Sequence, residues 1–191
     1  YNQGIKTVKW GERMDIWKEL QDEGIDAALL EEIQHFRAAH PVPPEAAARI
    51  PVPQCLYYGK EVWESAAAAL LCGQHLLLAG PKATGKNVLA ENLAAVFGRP
   101  VWDVSMYVNV DAAALIGADT LQKGEVVFRE GPICRCARLG GFGVLDEVNM
   151  AKNEALAVLH ATLDHRRVID VPGYERITLD DAARFIGTMN Y

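Results

Sequence analysis

The sequence predicts an α/β fold: a three-layer α/β/α core around a mostly parallel sheet, preceded by a small helical N-terminal segment. Three observations carry that expectation. From residue 54 onward short apolar runs alternate with helical patterns, the signature of parallel strands joined by crossover helices. The run His75-Leu76-Leu77-Leu78-Ala79 passes directly into a loop bounded by Gly80 and Gly85, and then into a helix. Two later apolar runs, Phe142–Leu145 and Arg184–Met189, are followed by polar groups, so chemistry gathers where the strands finish. At 191 residues and 50% hydrophobic composition, the chain can bury one ordinary core.

Residues 1–53 are expected to form the helical segment with its Pro-rich linker, and residues 54–191 the core. Residues 1–10 hold no clear pattern. From Glu12 to about Asp22, Met14, Ile16, Trp17 and Leu20 fall at helical spacings, and Gly24 ends the run. Asp26 is a good N-cap for a second helix reaching Ala39, with Leu29, Leu30, Ile33 and Phe36 on one face and Glu31, Glu32 and Gln34 outside. His40–Pro44 and Ile50–Pro53 are Pro-punctuated linkers around a short Ala-rich turn of helix.

Within the core, the Ala-rich stretch Gly59–Leu71 reads as a helix leading to the first strand. After the glycine loop, Lys86–Phe97 places Val88, Leu89, Leu93 and Val96 at helical intervals, so one face of that helix should pack on the sheet. Val101-Trp102-Asp103-Val104 is a second strand, whose Asp103 serves either a bound ligand or, more plainly, a cap. Asp111 opens a short helix through Leu115, and Leu121–Phe128 carries a Gly turn between apolar ends, a hairpin. Gly131-Pro132 begins a helix through Ala137, with Pro in a tolerated first-turn position. The acidic strand follows. Ala155–Leu159 then sits in a helix reaching about Asp164, and Val168–Ile177 is a second hairpin with a Pro-Gly turn.

The chemistry lies in three places. Gly80-Pro81-Lys82-Ala83-Thr84-Gly85-Lys86-Asn87 is built to wrap backbone N–H groups around phosphates. Its glycines let the chain curl close to an anion. Lys86 adds a mobile positive charge for the β- and γ-phosphates, and the helix starting there aims its positive dipole end at the same place. Asn87 replaces the Ser or Thr that usually ligates Mg²⁺ at this position, and its amide oxygen can still coordinate the ion or hold one of its waters. Phe142-Gly143-Val144-Leu145-Asp146-Glu147 is an apolar strand ending in two carboxylates. In a parallel sheet these arrive beside Lys86, Asp146 to hold Mg²⁺ through water and Glu147 to orient and deprotonate an attacking water. Arg184-Phe185-Ile186-Gly187-Thr188-Met189-Asn190 ends in an amide able to reach the γ-phosphate or that water.

Bulk properties narrow the field. A net charge of −6 and a pI near 5.4 argue against a protein whose main affinity is for nucleic acid. Arg166-Arg167 is the one adjacent basic pair and reads as a solvated helix end. Cys55, Cys72, Cys134 and Cys136 lack metal-site spacing and are expected to be reduced and mostly buried. His160 and His165 read as structural. No apolar stretch approaches a membrane span, and no signal peptide is visible.

Taken in order, Gly80–Asn87, Leu145-Asp146-Glu147-Val148-Asn149 and Phe185-Ile186-Gly187-Thr188-Met189-Asn190 resemble the AAA+ ATPases of the MoxR-like, dynein-related branch, over about residues 54–191. That resemblance implies a P-loop NTPase core with ATP and Mg²⁺ as cofactors. It implies that Lys86 is the phosphate-binding lysine, Asp146 the metal-site aspartate, Glu147 the catalytic glutamate and Asn190 the sensor-1 asparagine. The two hairpins stand where this branch inserts its own. Members work as rings, often hexameric, that remodel or activate client proteins, frequently beside a partner with a von Willebrand A domain. The implied setting is cytoplasmic. The family's arginine finger and helical lid with sensor 2 follow sensor 1, whereas this sequence ends at Tyr191 and begins with Tyr1 rather than Met. It is therefore expected to be a piece of a longer protein that by itself binds nucleotide weakly and hydrolyses it slowly or not at all. Three other readings stay open: a nucleotide-gated binding module without metal chemistry, a GTP-using relative, and a structural subunit acting through its N-terminal helices.

Overall fold

Asp15 opens the first helix of the computed structural model, which describes residues 5–7 (backbone only), 15–171 and 173–191. The Asp15 carboxylate accepts from the amides of Trp17 and Lys18, so α1 (Ile16–Asp22) starts later than the periodicity suggests, and Glu12–Met14 lie outside the described residues. Asp26 caps α2 (Ala27–Ala39) through the Ala28 amide, as expected. A single turn, α3 (Pro44–Ala47), sits between the Pro-rich linkers.

Two short strands were not legible in the sequence. β1 (Ile5–Thr7), in a stretch read as patternless, pairs antiparallel with β2 (Cys55–Tyr57), in register Ile5↔Tyr57. Three residues are too few to display a period of two, and the partner lies far away in the chain. β2 is fixed to the core by Asn92, a fully buried amide that accepts from Tyr57 N at 2.8 Å and donates to Cys55 O at 2.9 Å.

The core follows the expected alternation. α4 (Lys60–Leu71) leads to β3 (Leu76–Ala79), α5 (Lys86–Phe97), β4 (Val101–Ser105), α6 (Ala112–Ile116) and a hairpin of β5 (Gly117–Gln122) and β6 (Glu125–Glu130). α7 (Pro132–Arg138) precedes β7 (Phe142–Asp146). After a 3₁₀ turn at Val148–Met150 come α8 (Asn153–Ala157), α9 (His160–Leu163), a second hairpin of β8 (Val168–Ile169) and β9 (Ile177–Thr178), and β10 (Arg184–Met189). Pro172, in that hairpin's Pro-Gly turn, lies outside the described residues.

The central sheet has the order β3-β10-β7-β4, and every pairing in it is parallel. Alternate residues of β4, β7 and β10 feed two hydrophobic clusters, while β3 feeds one, its Leu77 being exposed. Phe142, Val144 and Ile186 join α1, α2, α4 and α5 on one face, while Leu145, Phe185, Trp102 and Val104 join α6, α7, α8 and the second hairpin on the other. The result is three layers, α/β/α.

Four sequence expectations need correction. The single helix expected from Ala155 to Asp164 is broken into α8 and α9, because the Leu159 amide bonds back only three residues, to Leu156 O, and tightens the chain there. Arg166 and Arg167 are not a helix end. Arg167 has φ +49 and donates to Asp180 O and Ala183 O, while exposed Arg166 grips Asp164. Cys134 and Cys136 are buried, but Cys55 is half-buried and Cys72 exposed; all four are free thiols. Helix α5 buries far more than one face, including Leu89, Ala90, Leu93, Ala94, Val96 and Phe97, because α1, α2 and β2 cover the side away from the sheet.

Candidate functional site

The carboxyl ends of β3, β7 and β10 lie side by side, since β10 runs between the other two in parallel register. Whatever follows those strands must therefore meet at one edge of the sheet. A cleft of about 400 Å³ lies there, lined by Lys82–Val88 from the loop and first turn of α5, by Asp146 and Glu147 after β7, and by Thr188 and Asn190 at the end of β10. The sequence-predicted residues Lys82, Ala83, Thr84, Gly85, Lys86, Asn87, Asp146, Glu147 and Asn190 thus share one cavity. Gly80 and Pro81 do not line it; Gly80 is buried at the loop's base, its amide donating to Met189 O at 3.3 Å.

The loop has the backbone of an anion cradle. Ala83 (φ +63) and Gly85 (φ +83) both take left-handed conformations, of the kind that forms anion-binding nests of backbone N–H groups. For alanine that conformation costs about 1–2 kcal/mol, a strain that the surrounding loop must hold. No side chain caps α5, and its first internal backbone bond runs from Leu89 N to Gly85 O, so the amides ahead of Leu89 stand at the positive end of a helix of 12 residues. The Lys86 ammonium spans the loop, donating to Gly80 O at 3.0 Å and Pro81 O at 2.8 Å, and Thr84 Oγ1 donates to Pro81 O at 3.0 Å.

Across the cleft, Glu147 is a non-glycine residue at φ +55, ψ +51, a turn that swings it out of the strand immediately after Asp146. Its carboxylate accepts from the Asn190 side-chain amide at 2.9 Å. Asp146 accepts at one oxygen, Oδ1, from the Thr188 hydroxyl, and its other oxygen has no hydrogen bond among the described residues. The Asn87 side chain is likewise exposed and unbonded there, beside the same cleft. A carboxylate oxygen and an amide oxygen are hard ligands of the kind Mg²⁺ takes when phosphates and waters complete its shell, so the donor set fits that ion. Among the described residues no group of three or more His, Cys, Asp or Glu side chains is gathered to hold a metal unaided.

Asp103 is not a cap. It sits mid-strand in β4 and lines a second cavity of about 490 Å³ with Arg49, Asn87, Glu91 and Asp146, which shares Asn87 and Asp146 with the first. Burial pushes the Asp103 carboxyl above its ordinary range; Arg49 opposes that shift and Asp146 adds to it. Burial likewise raises Glu91, with Asp103 contributing. A groove of about 640 Å³ between the two hairpins and α7 has Arg129, Arg135 and Arg138 but neither the loop amides nor the paired carboxylates. Those groups line the smaller cleft.

Thr188 also lines the cleft, a place that the sequence alone does not assign to it. A hydroxyl in an otherwise apolar strand, two positions before a polar terminus, was its only signal; its partner is set by strand register, which a sequence does not display.

Residues 75–191 match the family model described as AAA domain (dynein-related subfamily). The uncharacterized protein YojN of Bacillus subtilis is 40% identical over 108 residues, covering 54% of this chain and 36% of that protein. An uncharacterized protein of Staphylococcus saprophyticus is 35% identical over 116 residues, covering 58% of this chain and 44% of its own length. The matched region thus spans less than half the length of these relatives. Among solved structures, a Cytophaga hutchinsonii protein assigned as an ATPase superposes with a TM-score of 0.55 at 17% identity, over 91% of this chain and 47% of the other, a likeness of fold.

Proposed function

Because the chain belongs to the dynein-related subfamily of AAA domains, we propose that it binds ATP with Mg²⁺ in the cleft at the carboxyl edge of the sheet, and that the longer protein hydrolyses it. The observation that carries this reading is the meeting of Lys86, Asp146, Glu147 and Asn190 around one cavity, from three separate strand ends.

Loop amides of residues 82–87 and the Lys86 ammonium would take the phosphates, the lysine exchanging its carbonyl partners for phosphate oxygens and offsetting charge as the γ-phosphoryl group leaves. Asp146 and Asn87 would hold Mg²⁺, whose chemistry is to neutralise charge on the phosphate oxygens. Glu147 would take a proton from the attacking water, and Asn190, already bonded to that carboxylate, would position the water. The finer reading places the complete protein in a homo-oligomeric ring, hexameric by family habit, working in the cytoplasm to remodel or activate a client protein, with a von Willebrand A domain protein as a candidate partner. Among the described residues no helix is long and apolar enough to cross a membrane.

Titration calorimetry with ATP, and with GTP as competitor, tests the binding step on the wild type and on Lys86→Ala. Equal ATP affinity in both would remove the central claim, and preference for GTP would move the protein to the GTP-using alternative.

A further inference from the structure

We propose that Thr188 is a positioning residue of this site, fixing with one hydroxyl both the Asp146 carboxylate and the start of the Glu147 turn. The assignment deepens the nucleotide reading and rests on it. Thr188 is 1% exposed and lies one step beyond the last paired rung of β10 and β7, Gly187↔Leu145, which brings it level with Asp146. A hydroxyl carries one proton and two lone pairs. Here the proton goes to Asp146 Oδ1 at 2.5 Å, and a lone pair accepts from Glu147 N at 3.1 Å.

These two partners are adjacent in sequence but have different tasks. Engaging Oδ1 restrains rotation of the Asp146 side chain and leaves the second carboxylate oxygen for a cation or its water. Bonding the Glu147 amide satisfies a donor at a residue held in left-handed backbone, where the carboxylate leaves the strand for Asn190. Valine copies the shape of threonine without the hydroxyl, so Thr188→Val would release the Asp146 side chain and take the partner from the half-buried Glu147 amide. Serine keeps the hydroxyl. A purely structural threonine would act through packing and would be indifferent to the cation.

The distinguishing measurement is the increment that Mg²⁺ adds to nucleotide affinity. A fluorescent, non-hydrolysable ATP analogue is titrated into the 191-residue chain with EDTA and again with Mg²⁺, for wild type, Thr188→Val and Thr188→Ser, with thermal melts recorded alongside. The expected result is similar affinity for all three in EDTA, a strong Mg²⁺ increment for wild type and Thr188→Ser, and an increment at least fivefold smaller for Thr188→Val. A wild-type increment in Thr188→Val overturns the assignment, as does an equal loss in Thr188→Val with and without the ion. Should the valine variant fail to fold, Thr188→Ala against Thr188→Ser gives the same comparison, since those two differ by the hydroxyl alone. Wild type that binds the analogue without responding to Mg²⁺ overturns the metal role of Asp146 and this assignment with it. Wild type that does not bind at all overturns the nucleotide reading itself.

Discussion

In the proposed reading, Lys86 serves binding and Glu147 serves chemistry, a division that can be tested at the scale of single residues. Lys86 bridges the loop carbonyls of Gly80 and Pro81 with a charge that a triphosphate can recruit, so Lys86→Ala is expected to weaken ATP binding at least tenfold, about 1.4 kcal/mol, in calorimetry. Lys82, exposed and with no hydrogen bond or ion pair among the described residues, serves as the control and should lose far less. Glu147→Gln keeps the shape and the bond to the Asn190 amide but removes the base. In the full-length protein it should bind ATP as the wild type does while phosphate release falls by about 10²–10⁴. Undiminished turnover in that variant would favour a different base. That these side chains meet at one cleft was legible in the sequence, because each follows a strand end that a parallel sheet brings to the same edge. Thr188 was not, because its meaning comes from facing Asp146 across a strand pair.

Two features of the central strands carry predictions at the scale of the element. Gly143 in β7 leaves room for Phe185 of β10, and a Cβ built there would stand 2.5 Å from Phe185 Cδ1. Gly143→Ala should therefore overpack that strand pair and cost about 1–3 kcal/mol in denaturant unfolding. An unchanged midpoint would mean that the sheet can yield there. His75, just before β3, accepts the Phe185 amide on Nδ1 at 3.0 Å, which requires a neutral ring nitrogen. Burial, with Arg167 and Arg184 nearby, lowers its pKa from 6.5 to about 4. Between those values the unfolded chain binds more protons than the folded one, so this group's contribution is full above pH 6.5 and declines as pH falls toward 4. The wild type should lose more stability than His75→Asn between pH 7 and pH 5. Equal losses would remove His75 as the cause. Helices α2 and α5 and the strands of the sheet were readable from apolar spacing and caps, whereas the β1–β2 pair and the α8–α9 break depend on distant partners or on one tightened bond.

At the scale of the whole molecule, the N-terminal helices and the sheet share one hydrophobic cluster. Phe36 of α2 meets Phe97 of α5 edge-on at 5.3 Å, and Arg37 donates to the last carbonyls of α5, Ala95 O and Val96 O. From the linker side, Arg99, 1% exposed, reaches both His40 O and Gly140 O. Removing residues 1–53 would expose the outer side of α5, so the truncated chain is expected to melt well below the intact one or to aggregate. If it melted at the same temperature and bound ATP equally well, α1 and α2 would be a docking appendage, as the structural-subunit alternative holds. Hydrogen exchange provides a second check: amides of α2 and α5 should open together.

The sequence by itself determined the class of fold, the alternation of strands and helices, and the positions of the glycine-bounded loop and the paired acids at strand ends, because periodicity, glycine placement and residue chemistry are local properties. The tertiary structure decided which strand ends adjoin, that Asn190 bonds Glu147 and Thr188 bonds Asp146, and that α5 is enclosed on both sides. Those outcomes depend on strand order and register, which arise from packing between segments far apart in the chain and leave no periodic trace along it.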